Sequence, residues 1–225
     1  MASTSPQQSP GRIALRPYGN PLPLGFFSFG IGMVLLAGIA FQWIHGPDVR
    51  VAGILMAAFV FPLELLAAIL AFLARDTGAA GALGLFATSW VALGLFHVVF
   101  PDERTSFAVG LFLAAFAITL IPLAIAASLG KRLIALVLSV SAIRAGLAAA
   151  LQLGAPYAVG VAGGVAALLL FVLSLYAGTA FLIEDVRQRT VLPVFRGGSA
   201  RRALDSELAD QFRRLPQEPG VRQQL

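Results

Sequence analysis

The chain has 225 residues, 58% of them hydrophobic and 12% charged, and a formal net charge of +5. Soluble domains carry about 25% charged residues, so this composition, with a mean hydropathy of +0.85, belongs to an integral membrane protein, and the basic residues lie mainly in loops and a tail rather than on a nucleic-acid-binding face. The absence of cysteine excludes disulfides, thiolate metal sites and a cysteine nucleophile.

Residues 1–21 form an N-terminal tail rich in Ser, Pro and Gln, a composition that buries too little apolar surface to order itself. Asn20-Pro21-Leu22-Pro23-Leu24-Gly25 then opens an apolar run without a charged residue from Phe26 to Ile44. That run matches the roughly 20 residues needed to cross a bilayer core. Asn20 stands in capping position, and a proline in a first helical turn loses no intrahelical hydrogen bond. A cleaved signal peptide is not expected, because the run exceeds the usual 7–15 residues of such a segment.

Apolar runs at 24–44, 50–74, 79–100, 106–128, 132–153 and 157–183 predict an all-α integral membrane protein, a six-transmembrane-helix bundle over 22–185. The breaks carry loop chemistry: His45-Gly46-Pro47-Asp48, Arg75-Asp76-Thr77-Gly78, Pro101-Asp102-Glu103-Arg104, Gly130-Lys131-Arg132 and Gly154-Ala155-Pro156. One side of the membrane receives Arg12, Arg16, Arg75, Lys131, Arg132 and eight tail arginines, the other only Arg50 and Arg104. This bias predicts that both termini are cytoplasmic, in a plasma (inner) membrane.

Trp43, Phe100 and Tyr157 fall near outer span ends, where aromatic rings anchor at the interface. Gly25, Gly30, Gly32 and Gly38 in the first span, with Gly160, Gly163 and Gly164 in the sixth, permit close helix approach, and Gly160 and Gly164 have GxxxG spacing. Beyond the spans, 186–225 is a basic cytoplasmic tail in which Leu204, Leu208, Phe212 and Leu215 recur with helical spacing over 199–215. This pattern fits either a basic amphipathic helix on anionic lipid or a disordered tail.

No HExxH, GxSxG, P-loop or CxxC motif occurs, so neither an enzyme nor a bound metal or cofactor is expected. His45 and His97 lack a matching ligand cluster. The informative residues are Glu64 in the second span and Arg144 in the fifth, since ionisable groups are costly in hydrocarbon and face the bundle interior or water. Counted from Arg75 and Arg132 at about 1.5 Å per residue, both lie roughly 16–18 Å deep. Two readings stand: a salt bridge joining the second and fifth helices, or an Arg144 that attracts a carboxylate while Glu64 couples to a proton or tunes the field.

Asn20-Pro21-Leu22-Pro23-Leu24-Gly25 before the first span, together with Arg189-Thr190-Val191-Leu192-Pro193 after the last, resembles the acetate uptake transporter (succinate-acetate permease, YaaH) family. The resemblance implies a six-helix protomer with its own narrow path for acetate or a related short-chain mono- or dicarboxylate, within a homo-oligomer that is typically a hexamer, and proton-coupled transport is the expected activity. It carries Asn20, Pro21, Pro23, Leu24 and Gly25 onto the signature, while Leu22 replaces a smaller residue and Phe26 a leucine. Thr77, Phe86, Thr88, Ser89 and Trp90 keep a related order in the third span, Glu64 stands where the family has Gln, and Arg144 at a usually apolar position. Helix dipoles and Arg144 are then expected to offset desolvation of the anion along a path beside the first helix. The other reading is a non-transporting membrane scaffold or sensor that kept the bundle.

Overall fold

The computed structural model describes residues 19–103, 105–187 and 189–197. Among these, six helical spans are long and apolar enough to cross a membrane, as the sequence predicts, and the protein is a multi-pass membrane protein. The first is α1, Leu22–Ala40. Asn20 Oδ1 accepts from the Leu22 amide at 3.1 Å, and the Pro21 carbonyl accepts from the Gly25 amide at 3.1 Å, closing the first helical turn. The helix stops at Ala40, four residues before the expected end, because Gln42 takes φ 60° and the Ile44 amide turns back onto the Gly38 carbonyl at 3.0 Å.

The second span contains α2, Pro47–Leu55, a π-helical turn, Met56–Val60, and α3, Phe61–Leu73. Pro62 explains the interruption: it has no amide hydrogen, and its ring would press on the Ala58 carbonyl of a regular α-helix. Widening the turn relieves that contact and leaves a local distortion just ahead of Glu64.

The remaining spans are α4, Thr77–Val99; α5, Phe107–Ser128; α6, Arg132–Gln152; and α7, Tyr157–Arg187. Asp76 caps α4 by accepting from the Ala79 amide at 3.2 Å. At the far end of the bundle, the Ser106 amide donates to Gln152 Oε1 at 2.6 Å and ties the start of α5 to the end of α6.

α1 is the central helix, packed against α7, α3 and α4, while α5 packs on α6 and α6 on α7. The core collects Phe29, Met33, Trp90, Leu120, Leu170 and Phe181 around it. Side chains such as Phe59, Ile118, Ile125 and Val172 point outward; hydrocarbon makes that arrangement favourable, since the backbone polar groups are already satisfied within the helices. Where α2 crosses α4, a Cβ on Gly53 would lie 2.6 Å from the Gly94 carbonyl oxygen, and a Cβ on Gly94 equally close to that of Gly53. The two backbones touch there, a packing open only to small residues.

After α7 the chain doubles back. Tyr176 Oη donates to the Pro193 carbonyl at 2.8 Å, Val194 is buried, and the Gly197 amide donates to the Gly130 carbonyl at 2.9 Å. Glu184 anchors this return by accepting from Thr190 Oγ1 at 2.9 Å and pairing with Arg196, whose guanidinium lies 5.7 Å over the Phe181 ring. Lys131, bridged to Arg196 through the backbone, pairs with Asp76, so the return segment, the α5–α6 turn and the cap of α4 form one connected layer. The 199–215 pattern and most of the N-terminal tail lie outside the described residues.

Candidate functional site

Two small cavities follow one another along the bundle axis. The first lies in the half of the bundle nearer the chain termini, lined by Leu22, Gly25, Phe26 and Phe29 of α1, Glu64 of α3, Ala79, Ala82, Leu83 and Phe86 of α4, and Ile134, Val137 and Leu138 of α6. The second lies in the opposite half, lined by Met33, Leu36, Phe86, Ser89, Trp90, Leu93, Leu113, Phe116, Ser141, Arg144 and Ala145. Their volumes are about 40 Å³ and about 20 Å³, against the roughly 10–15 Å³ that one water centre needs.

Phe86 lines both chambers. Around it, Phe29 meets Phe86 edge-on at 4.8 Å and Trp90 at 6.0 Å, while Phe116 meets Phe86 at 5.4 Å. Edge-to-face rings at these separations attract one another, so the partition between the chambers is an aromatic cluster held by its own contacts.

Glu64 is the ionisable landmark of the first chamber and is fully buried. Its Oε2 accepts from Trp90 Nε1 at 2.8 Å, and its Oε1 has no hydrogen-bond partner. In the second chamber the Nε of Arg144 and the hydroxyl of Ser141 are likewise buried without a partner. Ser89 Oγ donates to the Phe86 carbonyl at 2.7 Å.

The salt bridge offered for Glu64 and Arg144 is not formed: among the described residues the ion pairs are Lys131 with Asp76 and Arg196 with Glu184. Equal depth placed both residues at mid-span, but depth carries no information about direction around a helix axis. Glu64 turns to Trp90, and Arg144 opens into the chamber that the same indole lines.

The other sequence-selected residues divide by position. Gly25 lines the Glu64 chamber, Ser89 and Trp90 line the Arg144 chamber, and Phe86 belongs to both. Pro21 and Pro23 are buried at the start of α1, with Asn20 and Leu24 half-buried beside them, so these four build the helix start rather than a chamber wall. Thr88 is exposed on the outer face of α4, its hydroxyl directed to the Gly84 and Leu85 carbonyls of its own helix.

Sequence reasoning missed Ser141, Phe29 and Met33. Ser141 had a readable signal, since it precedes Arg144 by three positions on one helix, a spacing that puts both on one face. Phe29 and Met33 had none, because in a helix apolar all round nothing marks the side that faces a cavity.

No family model matches the sequence, and no curated protein matches it. The fold has a close counterpart: the structure of the bacterial acetate channel SatP aligns with a TM-score of 0.68 at 19% identity, covering 79% of this chain and 99% of that chain. The chain therefore shares the fold of that six-helix membrane protein.

Proposed function

We propose that the protein carries acetate or a related short-chain carboxylate across a membrane through a path within each protomer. The observation that carries this reading is the Arg144 chamber, where the Nε of a half-buried arginine and a serine hydroxyl are buried without partners on the axis of a bundle that resembles an acetate channel. A guanidinium nitrogen buried without an acceptor is costly, and a carboxylate matches the planar donor set of the group. The start of α1 and the Glu64 chamber supply the termini-side half of the path, and the aromatic cluster separates it from the far half.

In this account Glu64 exchanges a proton as substrate passes. Two observations support that role: its Oε1 is unpartnered, and no lysine or arginine among the described residues pairs with it. The path is placed in a homo-oligomer of the plasma membrane, with both termini on the cytoplasmic side that the basic bias favours.

The reading is tested with purified protein in liposomes by following labelled acetate with and without an imposed proton gradient. The gradient is expected to accelerate uptake by the wild type and to have no such effect on Glu64→Gln. Equal stimulation of both would remove Glu64 from the coupling.

A further inference from the structure

We propose that the Arg144 chamber recognises a single carboxylate group, so that the protein takes small monocarboxylates and rejects dicarboxylates. The proposal rests on the transport reading and narrows its substrate class.

The argument begins with the charges. The chamber wall holds one cation, Arg144, the hydroxyls of Ser89 and Ser141, and no acid. One guanidinium neutralises one carboxylate and can hold it through two parallel N–H donors. A second carboxylate on the same ligand would face Met33, Leu36, Leu93, Leu113 or Phe116, none of which can hydrogen-bond it. Burial of an unpaired charge in such surroundings is strongly unfavourable. Across the indole of Trp90 the next ionisable side chain is the carboxyl of Glu64, which offers no cation to a second carboxylate.

The hydroxyls have different capacities. Ser89 directs its proton to the Phe86 carbonyl, so it is not a free donor. Ser141 is buried with no partner for its oxygen, and its proton is available to the carboxylate that Arg144 attracts. Arg144 and Ser141 lie three positions apart on α6 and approach the chamber from one side, leaving the opposite apolar wall for a short alkyl group.

Size points the same way. A chamber of about 20 Å³ has room for little more than one water centre, so each added carbon must displace a wall side chain. Met33 is the wall residue best able to yield, being unbranched with three rotatable bonds. Formate and acetate require the least displacement.

The chain has two tryptophans, and Trp43 is exposed at the far end of α1, so Trp43→Phe leaves Trp90 as the single reporter on the chamber wall. Purified Trp43→Phe protein is titrated with sodium formate, acetate and succinate at neutral pH and matched ionic strength, with Trp90 fluorescence as the readout. Formate and acetate are expected to give saturable changes, with succinate at least tenfold weaker. Ser141→Ala is expected to weaken acetate binding about tenfold, consistent with one lost hydrogen bond to a charged group, and Arg144→Gln to abolish it. Succinate binding as tight as acetate, or acetate binding unchanged in Ser141→Ala, would overturn the proposal, and neither result depends on how Arg144→Gln folds. Liposome uptake separates the two readings: binding of this pattern without uptake defeats transport and leaves the site, whereas acetate uptake with succinate bound as tightly defeats the site and leaves transport.

Discussion

Trp90 joins the two charged chambers: its Nε1 donates to Glu64 Oε2 at 2.8 Å, while its ring lines the chamber that holds Arg144. The indole also determines how close α1 can come, because a Cβ on Gly32 would lie 2.5 Å from Trp90 Cη2. One side chain thus fixes the carboxyl group, part of the Arg144 chamber and the spacing of the central helix.

Trp90→Phe keeps most of the ring but removes the side-chain hydrogen bond that Glu64 Oε2 accepts among the described residues. The loss is expected to cost about 1–3 kcal/mol, the range for leaving a buried polar group unsatisfied, measured as thermal or denaturant unfolding in detergent. Adding Glu64→Met should restore part of that stability, since no buried carboxylate is then left without a donor. A double mutant less stable than either single mutant would contradict the pairing.

Gly32→Ala and Gly25→Ala should differ. The first places a methyl against the rigid Trp90 ring, the second against Leu83 Cδ2, the end of a flexible side chain, also at 2.5 Å. Overpacking of a well-filled site costs about 1–3 kcal/mol, and Gly32→Ala is expected to reach that range and slow transport, with Gly25→Ala milder in both. Equal effects in paired stability and uptake assays would show that the indole is free to shift.

Glu64 and Arg144 should behave as separate sites. Breaking a buried ion pair typically costs about 3–5 kcal/mol, and the second neutralisation then recovers much of that loss. Here a double-mutant cycle of Glu64→Gln and Arg144→Leu is expected to show coupling well below that figure, with any remainder transmitted through Trp90. Recovery of several kcal/mol would place the two charges in contact.

Much of this bundle was legible in the sequence because length and apolarity fix where helices cross a membrane, and the spans from α4 to α6 end within two residues of expectation. The local departures follow from single residues whose effect has no periodic signature. Gln42 reverses the chain in a left-handed conformation, and Pro62 is accommodated by a π turn, although neither disturbs the apolar pattern. Direction around the helix axis was the larger gap: Glu64 and Arg144 could be counted to the same depth but not aimed, and Thr88 could not be distinguished from Ser89. The Glu184–Arg196 anchor was hidden for a related reason, since the return of 189–197 onto the α5–α6 turn depends on contacts between distant segments.

That anchor gives its own prediction. Arg196→Ala removes both the pairing with Glu184 and the contact over Phe181, so the Val194 and Gly197 amides should exchange with solvent deuterium faster while amides in the middle of α7 do not change. Unaltered exchange at Gly197 would show that the backbone bond to Gly130 holds the segment unaided.

The central claim is that a short carboxylate crosses the membrane through this bundle. Its most direct measurement is initial uptake of labelled acetate by liposomes containing the purified protein, against protein-free liposomes, at a pH alkaline enough to suppress passive diffusion of the neutral acid. The account predicts saturable uptake above the protein-free rate, lost in Arg144→Gln. A folded, fully inserted wild-type protein that carries acetate no faster than bare lipid would contradict it and favour a scaffold that kept the permease bundle without its transport.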